Sequence, residues 1–327
     1  VRLLSQYKID VVLIALNASF VSCPISNMVL GGHKQMADIT SSYAGLGKNH
    51  GVTVVQDMVS SIDVAKKTVS LSRGGSIAYD KLVVSPGIDL MLGSIEGLAA
   101  ANASGQILHA WKAGAETLAL RKQLEAMPDG GTFALTIPVA PYRCPPGPYE
   151  RASQIASYFK VAKPKSKILI LDGNADVTSK GPLFKKVWAS QYAGMIEYRG
   201  DHKATAVDAK TNTIKFEVQD DVKANVINAL PNMRAGLIAV QSGLSNMANG
   251  RWCGVNYQTF ESTAAKDVHV LGDSIQIAPA MPKSGHMANA QAKVAAAAIV
   301  AQLSGWDVNP NPMLTNTCYS MVDAKNC

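Results

Sequence analysis

Residues 268–293, VHVLGDSIQIAPAMPKSGHMANAQAK, constrain the fold more than any other stretch of the chain. Val268, Val270 and Leu271 form a β-branched and aliphatic run that reads as a buried strand. Gly272 lets the backbone come close to a ligand, and Asp273 can accept from a sugar-type hydroxyl. A loop containing prolines then closes at Pro282-Lys283-Ser284-Gly285, and residues 287–303 are helical by propensity. This order puts a carboxylate and a helix N-terminus at one end of a sheet, so the positive end of the helix points back at whatever Asp273 holds. A plain strand-end turn is the alternative, and this stretch alone leaves both open.

A chain of 327 residues, 47% hydrophobic and 17% charged, can bury a substantial core and is expected to form two or more domains. Its net charge of +7 comes from scattered residues instead of a basic run, which disfavours nucleic acid and is compatible with an acidic protein partner. The longest apolar helical run, residues 294–303, falls short of the roughly 20 residues that span a bilayer. No transmembrane segment is expected. The opening VRLLSQYKIDVVLIAL reads as a helix tail followed by a strand, without an initiator Met, a signal-peptide pattern or the Gly-rich turn of a dinucleotide-binding domain. The expectation is therefore a chain lacking its N-terminal Gly-rich turn and, since it stops at NTCYSMVDAKNC, most of a C-terminal domain.

In chain order, residues 11–16 (VVLIAL) read as a fully buried strand ending in Ala15-Leu16-Asn17. In a dinucleotide fold this strand normally ends on an acid for the adenosine ribose. Cys23 follows in a loop, where an isolated cysteine is usually a small buried thiol. Residues 51–59 and 68–72 read as a hairpin-forming pair with Gly74-Gly75 as a turn. Residues 79–87 read as a buried strand ending in Ser85-Pro86-Gly87, and residues 111–127 as an amphipathic helix closed by Pro128-Asp129-Gly130-Gly131. Residues 132–137 open a new sheet. After such a strand a pyrophosphate-binding turn needs glycine, but residues 138–147 read PVAPYRCPPG. Prolines remove amide donors and fix φ, so this turn cannot cradle a pyrophosphate. Residues 167–171, 213–218 and 224–230 continue that domain as strands.

Cys144 directly follows Arg143 and precedes Pro145-Pro146. A neighbouring cation favours thiolate, although a structural cysteine is equally compatible. Five cysteines allow many pairings, and the sequence does not choose among them. The six histidines are isolated and no Cys-x-x-Cys occurs, so no metal site is expected.

VHVLGDS, PAMPKSG and the Ala-rich helix resemble the closing flavin motif of disulfide-reductase-like flavoproteins. More narrowly, PYRCPPGPYERAS, HAWKAG, NTCYS and RWCGVNYQTFES resemble the flavoprotein subunit of flavocytochrome c sulfide dehydrogenase, through nearly the whole chain. The resemblance implies an α/β fold of two doubly wound dinucleotide-binding-type domains, glutathione-reductase-like. Residues 1–104 and 251–308 would form a discontinuous FAD-binding domain, residues 105–250 an NAD-binding-like domain without a nucleotide site, and residues 309–327 the start of a C-terminal domain. It also implies FAD bound near Ser85, Pro86, Gly87, Gly272, Asp273, Lys283 and Ser284 and carried on Cys23 through a thioether. The family's ribose acid falls at Ala15, which leaves that contact in doubt.

The resemblance pairs Cys144 with Cys318 as a redox-active disulfide beside the flavin. Glu150 would act as the nearby base or proton acceptor, against the bland reading of a solvated or paired carboxylate. Sulfide would attack one sulfur and free the other as thiolate. Electrons would pass to a c-type cytochrome subunit that carries the haem c, in the periplasm. A sulfide:quinone oxidoreductase and a non-catalytic flavin-fold scaffold are the competing expectations.

Overall fold

A computed structural model describes residues 1–327. The chain folds as two compact units. Val1–Phe20, Ser41–Asp89 and Arg234–Cys318 form the first, and Val21–Thr40, Leu90–Met233 and Tyr319–Cys327 form the second.

Residues 1–8 make hydrogen-bonded turns where a helix tail was expected, because Gln6 (φ 51°) and Tyr7 (φ 64°) are left-handed and stop a right-handed helix. The strand β1 (Val12–Ala15) follows in the first unit. The short helix α1 (Ser26–Leu30), with all five residues buried, belongs to the second. β2 (Thr53–Gln56) pairs in parallel with β1, with Val12 opposite Thr53. β1 was expected to be fully buried, but Val12 is 43% exposed, since the strand pairs along one edge only. β3 (Val59–Asp63), β4 (Thr68–Leu71) and β5 (Ser76–Ala78) form an antiparallel sheet, and Gly74 and Gly75, both at positive φ, turn β4 into β5. Residues 51–59 are therefore two strands and not one. The break falls at Asp57, whose carboxylate accepts from its neighbour's amide, Met58 N (2.7 Å), and from Ser72 Oγ (2.7 Å). β6 (Leu82–Val84) closes this run.

The second unit then continues with α2 (Ala115–Ala126), β7 (Thr132–Ile137), α3 (Gly147–Ala162), β8 (Lys167–Asp172), α4 (Gly181–Ser190) and β9 (Ile196–Arg199). An antiparallel three-stranded sheet follows, made of β10 (Ala204–Asp208), β11 (Thr213–Phe216) and β12 (Val222–Lys223), and then β13 (Val226–Ala229). The four parallel strands lie in the order β9-β8-β7-β13. In chain order this is 3-2-1-4, the first half of a doubly wound dinucleotide fold. β7 runs through the middle with Phe133, Ala134 and Leu135 at zero exposure, as a strand covered on both faces requires. Each fully buried Phe or Leu of this kind contributes about 1.5–3 kcal/mol.

Strand order reverses between β7 and β13, and α3 starts just after the C-terminal end of β7. That helix was not foreseen from the sequence. Its start carries the usual marks, with Pro148 in the first turn and Glu150 an acid near the positive end.

The chain re-enters the first unit, where β14 (Val268–Val270) pairs in parallel with β6, Val268 opposite Leu82. The helix α5 (Gly285–Ser304) is N-capped by Ser284, whose Oγ accepts from Met287 N at 3.1 Å, and ends at Gly305 in the left-handed region.

Candidate active site

The turn after β7 carries Cys144 at φ 58°, a left-handed conformation that costs a non-glycine residue about 1–3 kcal/mol. The Cys144 carbonyl accepts from Gly147 N at 2.8 Å, so the thiol side chain lies over the first turn of α3. A Cβ at Gly147 would come within 2.9 Å of Cys144 Sγ and 3.0 Å of Trp111 Cη2. Only glycine lets the sulfur and the indole close over the helix start. Arg143 donates from its guanidinium to the Trp111 carbonyl, and its backbone N–H donates to Met233 Sδ.

Glu150 lies one turn into α3 and is 6% exposed, so the solvated reading does not hold. Burial pushes its carboxyl up to about 8, partly offset by the Met321 backbone N–H and by the charges of Lys180 and Arg151. Met321 belongs to a strap, Tyr319–Cys327, that lies along α3. Gln154 Nε2 donates to the carbonyls of Met321 (2.8 Å) and Asp323 (2.9 Å), Lys180 Nζ to Ser320 Oγ (3.0 Å), and Tyr192 Oη to the Val322 carbonyl (2.6 Å).

Cys23 sits in the same unit, and its Sγ accepts from Ala113 N at 3.3 Å. The segments around both cysteines meet at Arg151, a residue that sequence reasoning did not single out. Arg151 is 1% exposed and lies 4.6 Å over the Trp111 ring. It donates to Asn27 Oδ1 (3.1 Å), to Asn228 Oδ1 (2.7 Å), and to the carbonyls of His109 (3.0 Å) and Ala110 (2.8 Å). Burial pulls its guanidinium down to about 9, while Cys144 and Cys23 act in the opposite direction.

In the first unit, the parallel pairing of β6 with β14 brings Ser85-Pro86-Gly87 and Gly272-Asp273 to the same end of the two strands. Gly272 has φ 77°, a Cβ there would lie 3.4 Å from Ser85 Oγ, and its N–H donates to Gln291 Oε1 on α5 at 2.7 Å. Gly87 gives its carbonyl to Gly236 N (2.9 Å) and to Ser274 Oγ. Lys283 is 2% exposed. Its ammonium donates to the carbonyls of Asp273 (2.9 Å) and Ile275 (2.6 Å) and lies 3.5 Å from the centre of the Trp252 ring. Burial lowers it to about 7, against the charge of Asp273. Ser284 also donates to Asn316 Oδ1, and Asn316 Nδ2 donates to Cys318 Sγ at 3.5 Å. Thr317 N donates to His286 Nδ1 at 2.9 Å, so Cys318 is tied to the N-terminus of α5 from two sides. The 20-residue α5 has no acid in its first turn. A glycine held close to the sheet end, a buried cation and an uncompensated helix N-terminus fit an anionic or carbonyl-bearing group such as FAD.

The acid that could hold an adenosine ribose in the second unit is Asp172, at the end of β8. It has zero exposure and accepts from Tyr149 Oη (2.7 Å), Tyr198 Oη (3.1 Å) and Asn174 Nδ2 (2.7 Å). Tyr142 Oη donates to or accepts from Thr178 Oγ1 (2.7 Å) beside them.

Residues 117–231 match the family described as the sulfide dehydrogenase (flavocytochrome c) flavoprotein chain, central. Over this central segment, about a third of the chain, the protein is similar to that family. The fold superposes on a sulfide:quinone oxidoreductase from the hyperthermophilic bacterium Aquifex aeolicus over 93% of this chain and 73% of that one. The TM-score is 0.76 and the identity 19%. An NAD-dependent persulfide reductase from A. fulgidus matches over 92% of this chain and 56% of its own, with TM-score 0.68 and 15% identity. Putidaredoxin reductase in its covalent complex with putidaredoxin matches over 94% and 72%, with TM-score 0.69 and 15% identity. Two dinucleotide-binding-type domains are the shared architecture. No helix is long and apolar enough to cross a membrane.

Proposed function

We propose that the chain oxidises sulfide to polysulfide or sulfur through a Cys144–Cys318 disulfide and passes the electrons to a c-type cytochrome subunit in the periplasm. The observation that carries this reading is Glu150. A carboxyl held near 8 lies in the first turns of the helix that follows Cys144, six residues on in sequence, and it is bound by the amide of Met321, three residues after Cys318. Hydrosulfide attacks one sulfur, the S–S bond breaks, a persulfide forms on the attacked cysteine, and the other leaves as thiolate. A second hydrosulfide taking the outer sulfur restores the thiol and releases the disulfane product. Glu150 keeps its proton at neutral pH and yields it near pH 8, so it can exchange a proton with incoming and departing sulfur species. Both cysteines are then reduced, and their S–S bond re-forms as they give up two electrons; FAD, when bound, would supply the two-electron acceptor and would pass electrons singly to the haem of the partner.

Ser85, Pro86, Gly87, Gly272, Asp273, Lys283 and Ser284 would hold the FAD. Cys23 would carry it covalently. The test is sulfide-dependent bleaching of the flavin in the full-length protein bearing Cys144→Ser or Cys318→Ser. Loss of bleaching with flavin retained supports the reading, and near-normal bleaching in either variant rejects it.

A further inference from the structure

We infer that Arg151 is a positioning residue whose buried positive charge is balanced by the sulfur of Cys144 held as thiolate, so that this cysteine is ionised at neutral pH whenever it is not in a disulfide. The inference rests on the proposed role of Cys144 in sulfide oxidation but is tested without sulfide. A guanidinium taken out of water needs both hydrogen bonds and a counter-charge, and the desolvation cost is several kcal/mol when the second is lacking. Arg151 has the hydrogen bonds. Its four acceptors are two amide oxygens, on Asn27 and Asn228, and two backbone carbonyls, all uncharged. No carboxylate lies within ion-pair distance of it.

The charged and titratable groups that face this site from each packed element are few. On α3 it is Glu150, which keeps its proton to about pH 8 and so supplies no negative charge at neutrality. The His109 ring turns to Glu116, at 3.0 Å, and that carboxylate also takes the Ala110 amide. Arg143, on the turn, adds a second positive charge. What remains are the two sulfurs, Cys144 and Cys23; Cys144 Sγ closes on Gly147 together with Trp111, the residue whose ring the Arg151 guanidinium covers at 4.6 Å. Cys144 has the further advantage of lying against Gly147, at the positive end of a 16-residue helix. If FAD is joined to Cys23 as a thioether, that sulfur no longer ionises and Cys144 is left as the single counter-charge.

The experiment is a thiol titration of the full-length holoprotein after reduction with a phosphine. Iodoacetamide alkylation is measured across pH and resolved to the Cys144 peptide by mass spectrometry. The expected midpoint lies at least about one unit below the ordinary thiol value of roughly 8.5. In Arg151→Met, with flavin content and circular dichroism unchanged, the midpoint should rise by about one unit or more, and Arg151→Lys should stay near the wild type. A guanidinium that only ties segments together would leave the wild-type midpoint ordinary, and that result overturns the proposal even if Arg151→Met does not fold. An unchanged midpoint in folded Arg151→Met overturns it as well. A low midpoint in a protein that does not oxidise sulfide would reject the proposed function and leave this inference standing.

Discussion

Tyr149 Oη donates to Asp172 Oδ2 at 2.7 Å, and this bond occupies the position from which a dinucleotide fold would recognise an adenosine ribose. Asp172 is fully buried, with Tyr198 and Asn174 as further donors, and burial raises its carboxyl. The preceding turn supplies prolines where glycine amides would be needed. NADH should therefore not reduce the flavin. Anaerobic rapid mixing with NADH is expected to leave the flavin spectrum oxidised, and bleaching on the timescale of turnover would contradict this.

Cys144→Ser and Cys318→Ser should each retain flavin and slow sulfide-dependent flavin reduction by about 100-fold or more, because either change removes the electrophilic sulfur pair. Stopped-flow absorbance with sulfide as the only reductant measures it.

Gly147→Ala adds a methyl that would stand 2.9 Å from Cys144 Sγ and 3.0 Å from Trp111. Alanine suits a helix better than glycine, so the fold should persist while the sulfur is pushed from its place. Sulfide reduction is expected to slow by about tenfold with flavin content unchanged. A variant as fast as wild type would show that the sulfur has room to move.

Covalent attachment at Cys23 predicts that acid-denatured holoprotein keeps its yellow colour above a size filter. Cys23→Ser should release the flavin on denaturation while leaving the native fold intact. Colour that passes the filter in wild type would remove the thioether from the account.

Glu150 gives a pH signature in stability. Its folded-state value is about 8 against a reference of 4.5, so between those pH values the unfolded chain releases a proton that the folded chain retains. Stability from this group is present below the unfolded value and is lost as pH rises toward 8. Glu150→Gln keeps an acceptor for Met321 N–H and removes the titration. The variant should gain on wild type by on the order of 3 kcal/mol at about pH 9 relative to about pH 5, measured by chemical denaturation. A difference independent of pH would mean that Glu150 ionises normally.

Much of the α/β framework could be read from local pattern. The buried, largely apolar run of β7, the strand of β14, the Ala-rich α5 and the glycine-poor turn at residues 138–147 each follow from residue type and spacing, and each lies where it was expected. Local pattern failed where a side chain overrode it. Asp57 divides what alternation reads as one strand, and two left-handed residues end the helix expected at the start. It also failed at α3, where the proline-rich turn runs directly into a helix with Pro146 at its cap position and Pro148 in its first turn. The chemistry of the central unit depended most on tertiary structure. Nothing in the spacing of Asn27, Trp111, Arg151 and Asn228 indicates that they meet, because their contacts join four distant segments. Sequence supplies which groups can ionise; burial and neighbours brought together by the fold decide which of them do, as the protonated carboxyl of Glu150 illustrates.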